Sequence, residues 1–289
     1  MAATRPISRN APSLTLQNTP LLSADCSDFP FAKPQTVALE TWTPGFVPPR
    51  MLSSYFDALF AAHGPQHWWP GRTRFEIIVG AILTQNTSWT NVERAIHNLR
   101  DARMLSTQAV RRVRSTRLAQ LLRPSGYFRQ KTKTLKAFVN FLYSSYAGSL
   151  GRLFATPTAV LRHQLLALRG IGPETADSIL LYAGKHPVFV VDAYTRRILQ
   201  RHGHVHSKIA YDEIGKMFES SLPADHQLFN EFHALIVHVG KHFCRKTNPA
   251  CSHCPLNPFL PVPLERGATG DFLRDESAVT SHRSPVTLP

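Results

Sequence analysis

Residues 165–197 hold the side chains whose types and order best suit chemistry. Arg169-Gly170-Ile171-Gly172-Pro173 makes a tight turn between two apolar-periodic segments. A Gly-x-Gly turn that opens a helix presents backbone N–H groups without helical partners, and these suit an anionic oxygen such as a phosphate. Gly170 and Gly172 permit backbone angles and a close approach that side chains forbid, and Pro173 gives up only an N–H that would be unpaired anyway. Downstream, Val188-Phe189-Val190-Val191 leads to one carboxylate, Asp192. Partly apolar surroundings strengthen its field. Such a group can stabilise developing positive charge or deprotonate an attacking water. Asp192 also suits the N-cap of a helix over 193–202, and the two roles are compatible.

A second constellation is Cys244-x6-Cys251-x2-Cys254, a thiol spacing that suits a soft metal centre. Four cysteines in the whole chain are too few and too clustered for a secreted disulfide framework, so a reducing interior is expected. Lys and Arg number 33 against 19 Asp and Glu, for a net charge of +14, which favours a polyanionic partner, nucleic acid first. A hydrophobic content of 43% is ample for a core. No apolar run approaches the roughly 18 residues that span a bilayer, so no membrane partner is expected.

These residues need a scaffold, and the periodicity supplies helices. Apolar spacing predicts helices over 51–63, 75–83, 89–99, 110–122, 131–146, 157–168, 174–183, 193–202, 209–221 and 228–242. Residues 187–191 are apolar but too short for a convincing strand, so the fold class is all-α. Residues 1–48 are rich in Pro, Ser and Thr, and together with a polar tail over 261–289 they are expected to be disordered.

The hairpin with its downstream Asp, the stretch Ala81-Ile82-Leu83-Thr84-Gln85-Asn86-Thr87 and the cysteine cluster resemble, in this order, the endonuclease III superfamily of DNA glycosylases. The resemblance covers about residues 50–260 and includes features of the alkyladenine branch. It implies a two-lobed helical domain over 49–260, with a six-helix lobe at 74–185 and a second lobe from 49–73 and 186–260. The DNA groove and base pocket are expected between the lobes. It implies base-excision repair on duplex DNA carrying a lesion or mismatch, by a monomer working in the cytoplasm or at the nucleoid. Gly170 and Gly172 would hold the phosphate backbone, Asp192 would act at the everted nucleotide, and Gln85 would fill the gap that the base leaves. Arg129, Lys131 and Lys133, in a turn similar to the family's Gly-aromatic-aromatic-x-x-Lys, would neutralise phosphates. Trp89 is expected in the core.

Two departures matter. Bifunctional members carry a Schiff-base lysine where this chain has Glu174, which cannot form an imine, so a monofunctional enzyme is expected. Glu174 and Tyr194 are candidate pocket residues. A non-catalytic helix-hairpin-helix DNA-binding protein and a bifunctional glycosylase with lyase activity are the alternatives. The family's iron–sulfur loop has a fourth cysteine where this chain has Leu260. A [4Fe-4S] cluster on Cys244, Cys251 and Cys254, a zinc ion completed by His253 or His242, and a metal-free loop are the three outcomes left open.

Overall fold

The computed structural model describes residues 49–261 except 67 and 70, so the expectations for 1–48 and for most of the tail lie outside the described residues. Twelve α-helices run in chain order through the described residues, and no strand occurs among them. They are α1 (Pro49–His63), α2 (Arg74–Leu83), α3 (Trp89–Asp101), α4 (Thr107–Arg112), α5 (Ser115–Leu121) and α6 (Phe128–Tyr146). Then follow α7 (Leu150–Phe154), α8 (Thr158–Leu166), α9 (Pro173–Ser178), α10 (Ala193–Arg201), α11 (Tyr211–Ser221) and α12 (His226–His242).

The predicted helix over 110–122 is two helices. Val113 and Arg114 are extended, with ψ of 143° and 139°. The freed carbonyls of Arg111 and Val113 accept from Lys136 Nζ at 3.0 and 2.5 Å, which stabilises the break. The short α7 escaped prediction because its five residues carry too little periodicity; Ser149 caps it, accepting from the Arg152 N–H.

Two groups of contacts build the core. Helix α1 packs on α11 and α12, and α10 packs on α12, burying Leu52, Tyr55, Leu59, Phe229 and Phe232. Helices α2, α3, α6 and α9 pack among themselves over Ile78, Ile82, Leu135 and Phe138, all fully buried. Burial of this kind stabilises by roughly 25 cal/mol per Å² of apolar surface. Arg162 on α8 grips buried Asp177 on α9 in a bidentate pair at 2.7 and 3.1 Å and reaches Asp212 on α11 at 2.6 Å. Past α9 the chain continues in a widened π-type turn, Ile179–Gly184, which touches both α2 and α12. Such turns recur at functional sites, and this one carries Tyr182.

Candidate active site

The hairpin joins α8 to α9. Gly170 has φ +88°, and a Cβ there would lie 2.2 Å from Thr134 Oγ1, so both backbone and packing demand glycine. Gly172 is different. Its φ is −94°, and a Cβ would meet nothing within 4 Å. Nothing inside the protein requires glycine at 172, and its open side leaves room for an outside group. Pro173 takes the first helical position as expected. Gln85 reaches across from the turn after α2, donating to the Gly170 carbonyl at 2.9 Å and to Thr175 Oγ1 at 2.8 Å.

Asp192 caps α10. Its Oδ1 accepts from the Thr195 N–H at 2.8 Å and from the Thr195 hydroxyl at 3.0 Å, so the backbone fixes one side of the carboxylate. Only 13% of its side-chain surface is exposed. Glu174 stands in the first turn of α9 with its outer face open to water. Burial of its inner side, and next the charge of Asp192, push the Glu174 carboxyl up to about 7.

Behind Asp192 lies a buried polar row that the sequence reading missed. His233 Nε2 on α12 is 3.7 Å from Asp192 Oδ2. His233 Nδ1 is 2.6 Å from the Tyr182 hydroxyl, whose acidity burial suppresses. Trp68 Nε1 is buried beside that hydroxyl without meeting hydrogen-bond geometry. The Trp69 ring stacks on Tyr182 with centroids 4.7 Å apart. The available signals were the doubled tryptophan and a histidine inside the apolar run Phe232–Val237. Neither has a spacing that points to a site.

A family profile described as the HhH-GPD superfamily of base excision DNA repair proteins matches residues 79–224, which include the hairpin, Glu174 and Asp192. A protein of Methanocaldococcus jannaschii whose name describes a DNA repair glycosylase is 46% identical over 211 residues, 72% of this chain and 95% of its own. The chain belongs to the HhH-GPD superfamily. The 3-methyladenine DNA glycosylase of H. pylori, solved bound to 1,N6-ethenoadenine, is similar at 30% identity and a TM-score of 0.57, covering 67% of this chain and 95% of that one. A non-covalent endonuclease III–DNA complex matches with a TM-score of 0.64 at 20% identity over 74% of this chain and 96% of its own, which shows the shared fold.

This HhH-GPD DNA glycosylase places its other predicted residues unevenly. Arg129 and Lys133 are exposed on α6. Lys131 is not available to a phosphate, which corrects that expectation. It is 3% exposed, with Nζ donating to the carbonyls of Leu83 at 2.9 Å and Ser125 at 2.6 Å. Burial lowers its ammonium to about 8. It pairs carbonyls that would otherwise be buried unmet. Tyr194 packs its ring over Gly240 of α12 and under the Arg197 guanidinium, 5.0 Å from the centroid. None of its hydrogen bonds or ring contacts reaches Asp192 or Glu174, so the structure does not join it to that pair. Trp89 is half-buried, edge-on to Trp69 at 5.1 Å.

Cys244, Cys251 and Cys254 are free thiols lining one small cavity of about 10 Å³, close to the space of a single water. Leu260, at the fourth position, lines the same cavity, and Arg201 donates to the Cys244 sulfur at 2.9 Å. Neither His242 nor His253 lines it; the imidazole that does is His202. Three thiols are a soft-metal donor set. Among the described residues, however, no three Cys, His, Asp or Glu side chains are grouped to hold an ion, so a formed site is not presented. Nor is any described helix long and apolar enough to cross a membrane.

Proposed function

We propose that the chain everts an alkylated purine of the 3-methyladenine type from duplex DNA and hydrolyses its glycosidic bond without cutting the strand. The observation that carries this is the pair Asp192 and Glu174. One carboxylate is fixed through Oδ1, with Oδ2 taking no hydrogen bond. The other carboxyl holds its proton close to neutrality. A carboxyl whose proton affinity is raised, beside a carboxylate fixed for chemistry, divides with it the work of acid and base.

The C1′–N bond breaks with its electron pair leaving on the base, and Glu174 protonates a leaving base that needs a proton. Asp192 stabilises the positive sugar and takes a proton from the water that adds to it. Glu174 cannot form an imine, which supports hydrolysis without lyase action. The likeness to the 3-methyladenine glycosylase of H. pylori supports an alkylated purine. The groove lies between residues 74–185 and the joined segments 49–73 and 186–260, with the exposed Arg129 and Lys133 and the open side of Gly172 facing phosphates. The chain acts as a monomer on lesion-bearing duplex.

For the cysteine loop we propose a [4Fe-4S] cluster held by Cys244, Cys251 and Cys254, supported by three thiols lining one cavity, which would have to widen beyond its water-sized volume to take it; no chemical step passes through it. Iron and sulfide in the purified protein support this reading. Zinc in their place, or neither, overturns it.

A panel of duplexes tests the function, each with one 1,N6-ethenoadenine, 3-methyladenine, oxidised pyrimidine, or mismatched thymine or uracil. Strand breaks on the alkylated-purine duplexes, appearing only after hot alkali, are expected. Breaks confined to pyrimidine lesions overturn the substrate class, breaks before alkali overturn the monofunctional assignment, and binding without breaks overturns catalysis.

A further inference from the structure

We propose that His233 is a positioning residue for Asp192, held as the Nε2–H tautomer by Tyr182 so that its N–H aims at Asp192 Oδ2. This rests on the reading that Asp192 acts at the nucleoside. Asp192 is anchored through Oδ1 alone, by both Thr195 donors, so rotation of the carboxylate is restrained from one side. Oδ2, the oxygen left for chemistry, has His233 Nε2 as its neighbour at 3.7 Å. That nitrogen is buried and has no hydrogen-bond partner. An orphaned buried donor in a native protein calls for a reason.

The tautomer follows from the other ring nitrogen. The Tyr182 hydroxyl, 2.6 Å from Nδ1, is buried and keeps its proton. Donating that proton to Nδ1 leaves the imidazole hydrogen on Nε2. Burial favours the neutral ring, the charge of Asp192 opposing it. The Phe189 ring stands edge-on at 6.3 Å, and Glu174 acts on Tyr182 from α9. A shift of about 0.5 Å brings Nε2 and Oδ2 to the outer limit of a hydrogen bond, about 3.2 Å. Catalytic hydrogen bonds that are long in the free enzyme commonly tighten around substrate. With Oδ1 held by Thr195 and one lone pair of Oδ2 held by His233, the remaining lone pair keeps a fixed direction.

The test uses the full chain with His233→Gln, His233→Asn and His233→Phe, each alone and combined with Asp192→Asn. Glutamine places an amide donor near the Nε2 position, whereas asparagine mimics Nδ1 and keeps only the Tyr182 contact. Single-turnover base release is followed on the lesion duplex from which the wild-type protein releases base fastest. His233→Asn and His233→Phe are expected to slow release about 10–100-fold, the scale of a misplaced catalytic group, with the half-saturating DNA concentration unchanged. His233→Gln retains most of the rate. In the Asp192→Asn background His233→Phe has no further effect, because its action passes through the missing carboxylate. Equal rates for the Gln and Asn variants, or effects that multiply with Asp192→Asn, overturn the proposal. Nitrogen-15 spectra of the imidazole give a readout independent of activity. An Nε2–H tautomer is expected, and an Nδ1–H tautomer overturns the proposal even if no base is released. A full-speed Asp192→Asn protein, in contrast, defeats the reading that Asp192 acts at the nucleoside.

Discussion

Gln85 Nε2 donates to the Gly170 carbonyl at 2.9 Å, tying the turn after α2 to the first glycine of the hairpin. Two parts that the family resemblance gave separate tasks, filling the vacated stack and gripping the backbone, are therefore mechanically joined. Gln85→Ala is expected to slow release about tenfold or more from a fully paired lesion duplex, since flipping a paired base costs a few kcal/mol. It should cost less on a duplex whose lesion faces a gap. Rates on the two duplexes, measured side by side, check this; equal losses contradict it.

The two glycines separate cleanly. Gly170→Ala forces a side chain into φ +88° and to 2.2 Å from Thr134 Oγ1, so a loss of stability of about 1–3 kcal/mol is expected. Gly172→Ala meets nothing within 4 Å at an ordinary φ and should leave Tm unchanged while weakening DNA binding. Thermal unfolding and binding titrations on both variants provide the check.

Lys131 shows what was and was not legible in the sequence. The hairpin, the cap at Asp192 and most helix positions followed from local rules about turns, caps and period. Lys131 was assigned to phosphate because it sits in a basic turn, yet it shares a face with Leu135, Phe138 and Leu142 at spacings of four, seven and eleven. Helical period placed that lysine inward. The Tyr182–His233–Asp192 row was not legible, because it joins segments far apart in sequence through side chains that are individually ordinary core residues. The break at Val113 was equally hidden, since it depends on Lys136 arriving from another helix.

Lys131→Met should therefore destabilise the fold by about 1–3 kcal/mol, as two buried carbonyls lose their donor. It should leave the salt dependence of DNA binding unchanged. Arg129→Ala and Lys133→Ala should do the reverse, each lowering the slope of log K against log salt by about 1. Titrations at several salt concentrations distinguish the two patterns.

Glu174 sets the pH dependence. Its carboxyl is raised to about 7 by burial and by Asp192. The protonated acid therefore predominates below that value and is lost above it. Release of a base that needs a proton should fall as pH rises through about 7. Glu174→Gln, which cannot titrate, should be slower near pH 6 and lose this alkaline limb. A persisting limb in that variant assigns the titration to another group.

The catalytic role of Asp192 stands or falls on single-turnover release from an ethenoadenine or 3-methyladenine duplex with Asp192→Asn protein. Its unfolding temperature should match the wild type, since asparagine still caps α10. A loss of at least about 100-fold in rate is expected, with binding preserved. Release at the wild-type rate by the folded variant would contradict it.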